Sequence, residues 1–432
     1  MLVPESFVMG ERRLVIDDCT VIDGNDNPPF ENATVIIDGD KIDSIIRSDS
    51  FRSTQRDLLI NAQGMTVIPG LWDAHVHVRS TGRPAQRALT VMEATVPRIG
   101  FWALSNSWRN LEYGVTSVRD MSSIGYVDVA LRDAINEGVV PGPRLFVAGH
   151  GLTMYGGHMD PKRRPEIEIT NHTGLANSPD EVKAAARYQI AQGVDLLKFN
   201  TSHSHLDRDG SVVLRQEMDY EMLVAGLREG EKVGISSATH CHGGQGALDA
   251  IRAGVRSIEH GHWLNDEHFE LMLERDTYFC PTLSCNENRL RLGQEKADMD
   301  DAHWEWLKVA CEDKHHTIER ALKAGIKIVA GSDAGMPHTF HGIGATQEIS
   351  YLVEYGMSPM EAIIAATRRP AEMMGVDDVV GTVEEGKIAD LVILASNPLQ
   401  DISKLGQEDN VRVVIREGEP LVDRLGVFSS QI

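Results

Sequence analysis

The chain begins and ends in short β-branched apolar runs separated by turn residues. Residues 14–22 are largely apolar, 23–29 are turn-like, and 33–37 resume a strand before the hairpin signal Asp38-Gly-Asp-Lys41 and the run 42–46. The far end has the same texture, with apolar runs at 391–395 and 411–415 and a last hairpin around Glu417-Gly-Glu-Pro420. Between the two ends the pattern changes. Strand-like runs at 66–78, 115–118, 144–148, 196–199, 236–240, 257–259, 278–281 and 326–330 alternate with amphipathic helical stretches such as 180–191, 220–229, 245–253, 266–274 and 302–324. Eight such units predict an α/β fold, a (β/α)8 TIM barrel, with a small β-sandwich domain formed from both termini. The expected boundaries are 1–65 and 381–432 for the small domain and 66–380 for the barrel. A doubly wound sheet would need a glycine-rich phosphate turn after an early strand; Gly244-Gln-Gly246 is too short and badly placed to serve.

In a barrel the C-terminal strand ends converge on one mouth. The first strand ends in His75-Val-His77, and a strand sends residues i and i+2 to the same face, so both imidazoles point to one spot. That makes a metal-ligand pair in need of partners. The later strand ends supply Lys198 within an apolar run, His240-Cys-His242, Glu259-His260-Gly-His262 and Gly331-Ser-Asp333. Singly each has a bland reading, such as a snorkelling lysine or a helix-capping aspartate. Together, in barrel order, they read as one site.

Composition narrows the setting. The chain has 432 residues, 42% hydrophobic and 25% charged, with 42 basic and 64 acidic residues for a net charge of −22. Such a field disfavours nucleic acid and anionic membranes as partners, and no basic stripe offsets it. Five cysteines without C-x-x-C spacing argue against a disulfide framework or a zinc ribbon. No signal-like apolar segment or membrane-length run is evident, so the expected compartment is the cytoplasm.

The motifs resemble those of the metal-dependent amidohydrolase superfamily. They are Pro69-Gly-Leu-Trp-Asp-Ala-His-Val-His77, Gly114-Val-Thr-Ser-Val-Arg-Asp120, Gly156-Gly-His158, Ile258-Glu-His-Gly261, Gly331-Ser-Asp333, Met357-Ser-Pro-Met-Glu-Ala362 ahead of Ala365-Ala-Thr367, and Gly386-Lys-Ile-Ala-Asp-Leu-Val392. They are similar to the imidazolonepropionase-related branch, which holds Xaa-Pro dipeptidases, arginine carboxypeptidases and ochratoxinase. The resemblance implies two divalent metal ions, zinc foremost with manganese, cobalt or iron as alternatives. His75 and His77 would hold the more buried ion, and His240 and His260 the second. Lys198, N-carboxylated by CO2, would bridge both, and Asp333 would be a ligand and the general base and acid. A water held between the metals ionises near neutral pH. His158 matches the residue that donates to the oxyanion.

The implied substrate is a small molecule, a dipeptide or an N-acyl amino acid, cleaved at its amide bond. His242 and Tyr155 are the candidate substrate contacts, and the loop residues Arg163, Arg164, His338 and His341 are left open. A deaminase would carry a glutamate three residues after the fifth-strand histidine, where this chain has Gly243. A carbamate, thiocarbamate or urea hydrolase is the nearer alternative, and a non-catalytic scaffold conflicts with the retention of every ligand position. A homo-oligomer is expected, with the aromatic-rich stretch 101–113 read either as a contact surface or as a barrel helix.

Overall fold

The computed structural model describes residues 12–84, 94–160 and 174–428. The first eleven residues and the basic loop Lys162-Arg163-Arg164 lie outside the described residues.

The central stretch closes into a barrel of parallel strands. Leu71–Val76, Val115–Asp120 and Arg144–Val147 form one run of neighbours, and Leu196–Asn200, Ser236–Gly243, Ser257–Trp263 and Tyr278–Cys280 form another. The two runs meet where Asp195 N–H donates to Val147 O at 2.8 Å. The eighth position departs from the sequence expectation. Residues 326–330 contain a single bridge, Phe279 with Ile328, rather than a regular strand. The cause is visible in the hydrogen bonding. Ala330 N–H donates outward to Ala365 O, while Ala330 O accepts from Ala74 N–H and His75 O from Asp333 N–H. The barrel therefore closes through a bent segment whose ladder is shared with a helix end.

The apolar stretch 66–78 is two strands, not one. Thr66–Pro69 pairs antiparallel with Leu391–Leu394 in the small sheet, and the barrel strand starts at Leu71. Gly70 makes the switch, because a Cβ there would sit 2.0 Å from the Thr116 hydroxyl oxygen. The small sheet interleaves both chain ends, with Leu391–Leu394 lying between Thr66–Pro69 and Val411–Arg416. Its strand Arg13–Val21 bends at Asp18, where φ is 59°. Residues before the bend pair with Asp57–Asn61 and residues after it with Thr66–Pro69. The folded sheet closes over a core that includes Leu14, Ile16, Val35, Val67, Ile393 and Val413.

Between barrel and helices runs a core that includes Val76, Phe199, Ile258 and Phe279 packed with Ile99, Leu223, Phe269 and Ile318. Each such side chain contributes about 1.5–3 kcal/mol by leaving water. Inside the barrel Met121, Ala148, Leu196 and Ala238 fill the bore, and Trp72 stacks on Phe146 at 5.2 Å. The stretch 101–113 lies mostly in the barrel helix Val96–Glu112, which buries Ile99, Ala103 and Leu111 and leaves Phe101 73% exposed. Among the described residues no helix is long and apolar enough to cross a membrane.

Candidate functional site

The mouth collects the histidines that the strand ends predicted. His75 lies within a register shift of the first strand and His77 just past its end; their ring centroids are 5.5 Å apart, while Val76 packs into the helix-facing core. Asp333 faces both, its Oδ1 lying 3.6 Å from His75 Nε2 and 3.3 Å from His77 Nε2. These three residues place their donor atoms within 4.8 Å of one another, a compact N,N,O set suited to a divalent cation. His260 lies against His75 (4.9 Å) and His240 (4.5 Å), which joins the sixth and fifth strands to the first. Lys198 rises from the fourth strand into this group, 3% exposed.

Two of these residues hold left-handed backbone: His260 at φ 69° and Asp333 at φ 60°. In the sixth strand Ser257 and Glu259 point into the barrel, so strict alternation would turn His260 outward. The positive φ swings it into the mouth instead, strain of the kind that gathers at functional sites.

A buried support holds the first two histidines. His75 Nδ1 bonds Glu259 Oε2 at 2.8 Å, and Glu259 Oε1 accepts from Arg119 (2.8 Å) and Ser257 (2.5 Å). Arg119 also donates to Ala74 O at 2.7 Å and is fully buried. His77 Nδ1 bonds Ser122 O at 3.2 Å. With Nδ1 occupied, each ring offers Nε2 to the cavity. Elsewhere His260 Nδ1 bonds the Thr282 hydroxyl and His242 Nδ1 the Ser204 hydroxyl, at 2.8 and 2.7 Å. Trp306 Nε1–H donates to that same Ser204 oxygen at 2.9 Å. The residue types of Glu259 and Arg119 stood within the quoted motifs, but only the fold shows them touching His75.

Burial sets the protonation of the site. It pulls the Lys198 ammonium down to about 8 and His75 down to about 4. Burial alone would raise the carboxyls of Glu259 and Asp333. Arg119 and His75 instead hold Glu259 well below the usual range, and His77 and His75 do the same for Asp333. The buried Lys198 Nζ, His240 Nε2 and Asp333 Oδ1 have no hydrogen-bond partner among the described residues. Buried polar atoms are rarely left so. The imidazole nitrogen and carboxylate oxygen fit a cation, and Lys198 Nζ stands beside them.

The other expected residues are placed less uniformly. His158, exposed on the loop after the third strand, stacks on His240 at 3.8 Å, while its backbone N–H donates to Glu217 Oε1. His242 lies 4.8 Å from both His240 and His262 and 5.8 Å from Trp306. Tyr155 is 55% exposed on the His158 loop, its N–H donating to Asn177 Oδ1. His341 is buried, its Nε2 bonding Ser80 O at 2.9 Å, and the His338 carbonyl accepts from Asn288.

A barrel whose mouth gathers convergent imidazoles, a buried lysine and the aspartate of the eighth barrel position has the donor groups of a hydrolytic centre. Residues 66–421 match the pattern of the amidohydrolase family, and the chain belongs to that family. It is 29% identical over 425 residues to ochratoxinase from Aspergillus niger, covering 93% of this chain and 85% of that one. A solved Xaa-Pro dipeptidase with methionine bound in its active site is 32% identical, with a TM-score of 0.82 over 94% of this chain and 99% of its own. A prolidase complexed with N-methylphosphonate-L-proline is 26% identical, with a TM-score of 0.83 over 95% of this chain and 100% of its own. The protein is thus a hydrolytic enzyme acting on C–N bonds, of the superfamily branch its motifs resemble.

Proposed function

We propose that the enzyme cleaves an amide bond whose leaving group is an amino acid, in a dipeptide or an N-acyl amino acid, at a centre built for two divalent cations. The observation that carries this is the convergence of three orphaned buried atoms, Lys198 Nζ, His240 Nε2 and Asp333 Oδ1, beside His75, His77 and His260. The nature of the peptidase and ochratoxinase relatives supports the choice of substrate.

His75 and His77 would hold one cation and His240 and His260 the other, with Lys198 and Asp333 completing the set. The neutral Lys198 amine would take up CO2 with loss of a proton, and the carbamate would offer two oxygens sharing one negative charge where an ammonium would repel metal. The bound cations would supply Lewis acidity for water activation and carbonyl polarisation. Asp333 takes the proton from the attacking water and returns it to the nitrogen as the C–N bond breaks, so one water is consumed per bond. His158, held flat against His240, is the donor to the developing oxyanion. His242 faces the leaving amino acid, with Tyr155 the outermost contact.

The test is a screen of zinc-, manganese- and cobalt-loaded enzyme against N-acyl amino acids and Xaa-Pro dipeptides, with a phenylurea and a carbamate as controls. The expected result is turnover of at least one amide, abolished by chelation and by Asp333→Asn. Turnover of the controls alone overturns the substrate assignment, and an active Asp333→Asn overturns the role of Asp333.

A further inference from the structure

The helix Leu283–Leu292 begins directly after the seventh barrel strand and overhangs the mouth. It carries two arginines with opposite surroundings. Arg291 faces outward and is paired with Glu287 at 3.1 Å and Glu354 at 2.5 Å. Arg289, half-buried, turns the other way, and among the described residues no carboxylate lies within ion-pair distance of it. Its Nε–H donates to Cys285 O (2.8 Å), and Nη2 donates to Asn286 Oδ1 (2.6 Å) and Cys285 Sγ (3.3 Å). Nη1, with two N–H groups, has no acceptor among the described residues. Asn286, 5% exposed, donates in turn to His262 Nε2 at 3.4 Å, and the His262 ring lies 4.8 Å from His242. The guanidinium is thus continuous with the wall of the mouth, linked to the His240–His260 group through Asn286, His262 and His242.

A half-buried guanidinium without a counter-ion is unusual in a chain with 22 more acidic than basic residues. Its remaining donors, both on Nη1, suit a carboxylate oxygen in a charge-assisted hydrogen bond. We propose that Arg289 is a substrate-binding residue that pairs with the carboxylate of the leaving amino acid. Asn286 holds the guanidinium by its Nη2 edge, so that Nη1 is presented to the mouth. The helix thereby selects substrates with a free carboxylate. This assignment rests on the amide reading above and adds a residue to it.

The experiment compares an N-acyl amino acid with its carboxamide, in metal-loaded wild type and in Arg289→Met, Arg289→Lys and Asn286→Asp, with Tm as a check on folding. The wild type is expected to favour the acid by roughly 100-fold in kcat/KM, the scale of a desolvated charge-assisted pair. Arg289→Met is expected to lose that preference chiefly through KM on the acid, with the carboxamide little changed. Arg289→Lys restores part of it. Asn286→Asp gives Arg289 an internal carboxylate and suppresses the acid selectively. An Arg289→Met enzyme that keeps the acid-to-amide ratio, or loses both substrates equally, overturns the assignment while leaving the amide reading intact. A wild type that hydrolyses neither substrate but does hydrolyse the carbamate overturns the amide reading itself, and this assignment with it.

Discussion

The two halves of the mouth are held by different means. On the side of the first and eighth strands, His75 rests on a carboxylate, His77 on a backbone carbonyl, and the supporting Glu259 is locked by Arg119 and Ser257, all of them buried. On the side of the fifth and sixth strands, His260 and His242 rest on hydroxyls, and His240 is fixed largely by ring packing against His158. A carboxylate behind an imidazole fixes its tautomer and raises its basicity, which a hydroxyl does only weakly. The first half is preorganised. The second depends on a loop histidine and on whatever enters the mouth.

The largest effect that separates the halves is on stability. Glu259→Gln leaves the fully buried Arg119 without a counter-charge, and is expected to cost about 3–5 kcal/mol. The measurement is urea unfolding of the metal-free protein. Thr282→Val, which removes the hydroxyl behind His260, is expected to cost well under half as much. Equal losses would dissolve the contrast.

Activity gives the next step down. His158→Ala is expected to lower kcat by roughly 10²–10³-fold, the cost of one oxyanion donor, with little change in KM. His158→Phe keeps a ring against His240 and removes only the donor. If it matches wild type, His158 is a packing residue and the second half is stiffer than its contacts suggest. Metal affinity follows. In calorimetric titration of apo-enzyme with zinc, His77→Asn is expected to remove the tighter binding event and His240→Asn the weaker. The two events should differ by roughly 10- to 100-fold, as the unequal supports imply. A single event of equal affinity in both variants would contradict the comparison.

Much of the first half was legible in the sequence, and the reason is local. H-x-H on a strand needs only the two-residue period to place both rings, and Asp333 follows a Gly-Ser pair at the expected barrel position. The motifs also carried His240, His260 and Lys198 to the mouth. What stayed hidden depends on contacts across the barrel. Glu259 and Arg119 come from the sixth and second strands and meet only when the barrel closes, and no spacing within the chain encodes that. Strand alternation alone misdirects His260, because its positive φ is imposed by its surroundings. Arg289 and Arg291 differ by two residues on one helix, and only the packed structure shows that one is paired and the other is not. The split of 66–78 at Gly70 is similar, since the glycine is required by Thr116 from the next strand.

The smallest expected effect concerns what the rigidity of the first half costs. Beyond His77, Val78 N–H donates to Asp120 Oδ2 at 2.6 Å, and Gly149 N–H donates to the nearby Asp128 Oδ2 at 2.8 Å. Burial pushes Asp128 up to about 6, and burial with the neighbouring Asp128 charge raises Asp120 as well. A carboxyl raised in the folded state keeps its proton there while the unfolded chain loses it. Its contribution is therefore fully present below about pH 4, the ordinary carboxyl range, and is lost as pH rises through about 6. The slope from one such group is at most about 1.4 kcal/mol per pH unit. Asp128→Asn keeps an acceptor for Gly149 and removes one of the two titrations, so its urea midpoint is expected to fall less than that of wild type between pH 4 and 6. Near pH 7 the variant should be as stable as wild type or more so. Identical profiles would mean that Asp128 is charged in the folded protein, and that the polar layer beneath the first half is better solvated than its burial implies.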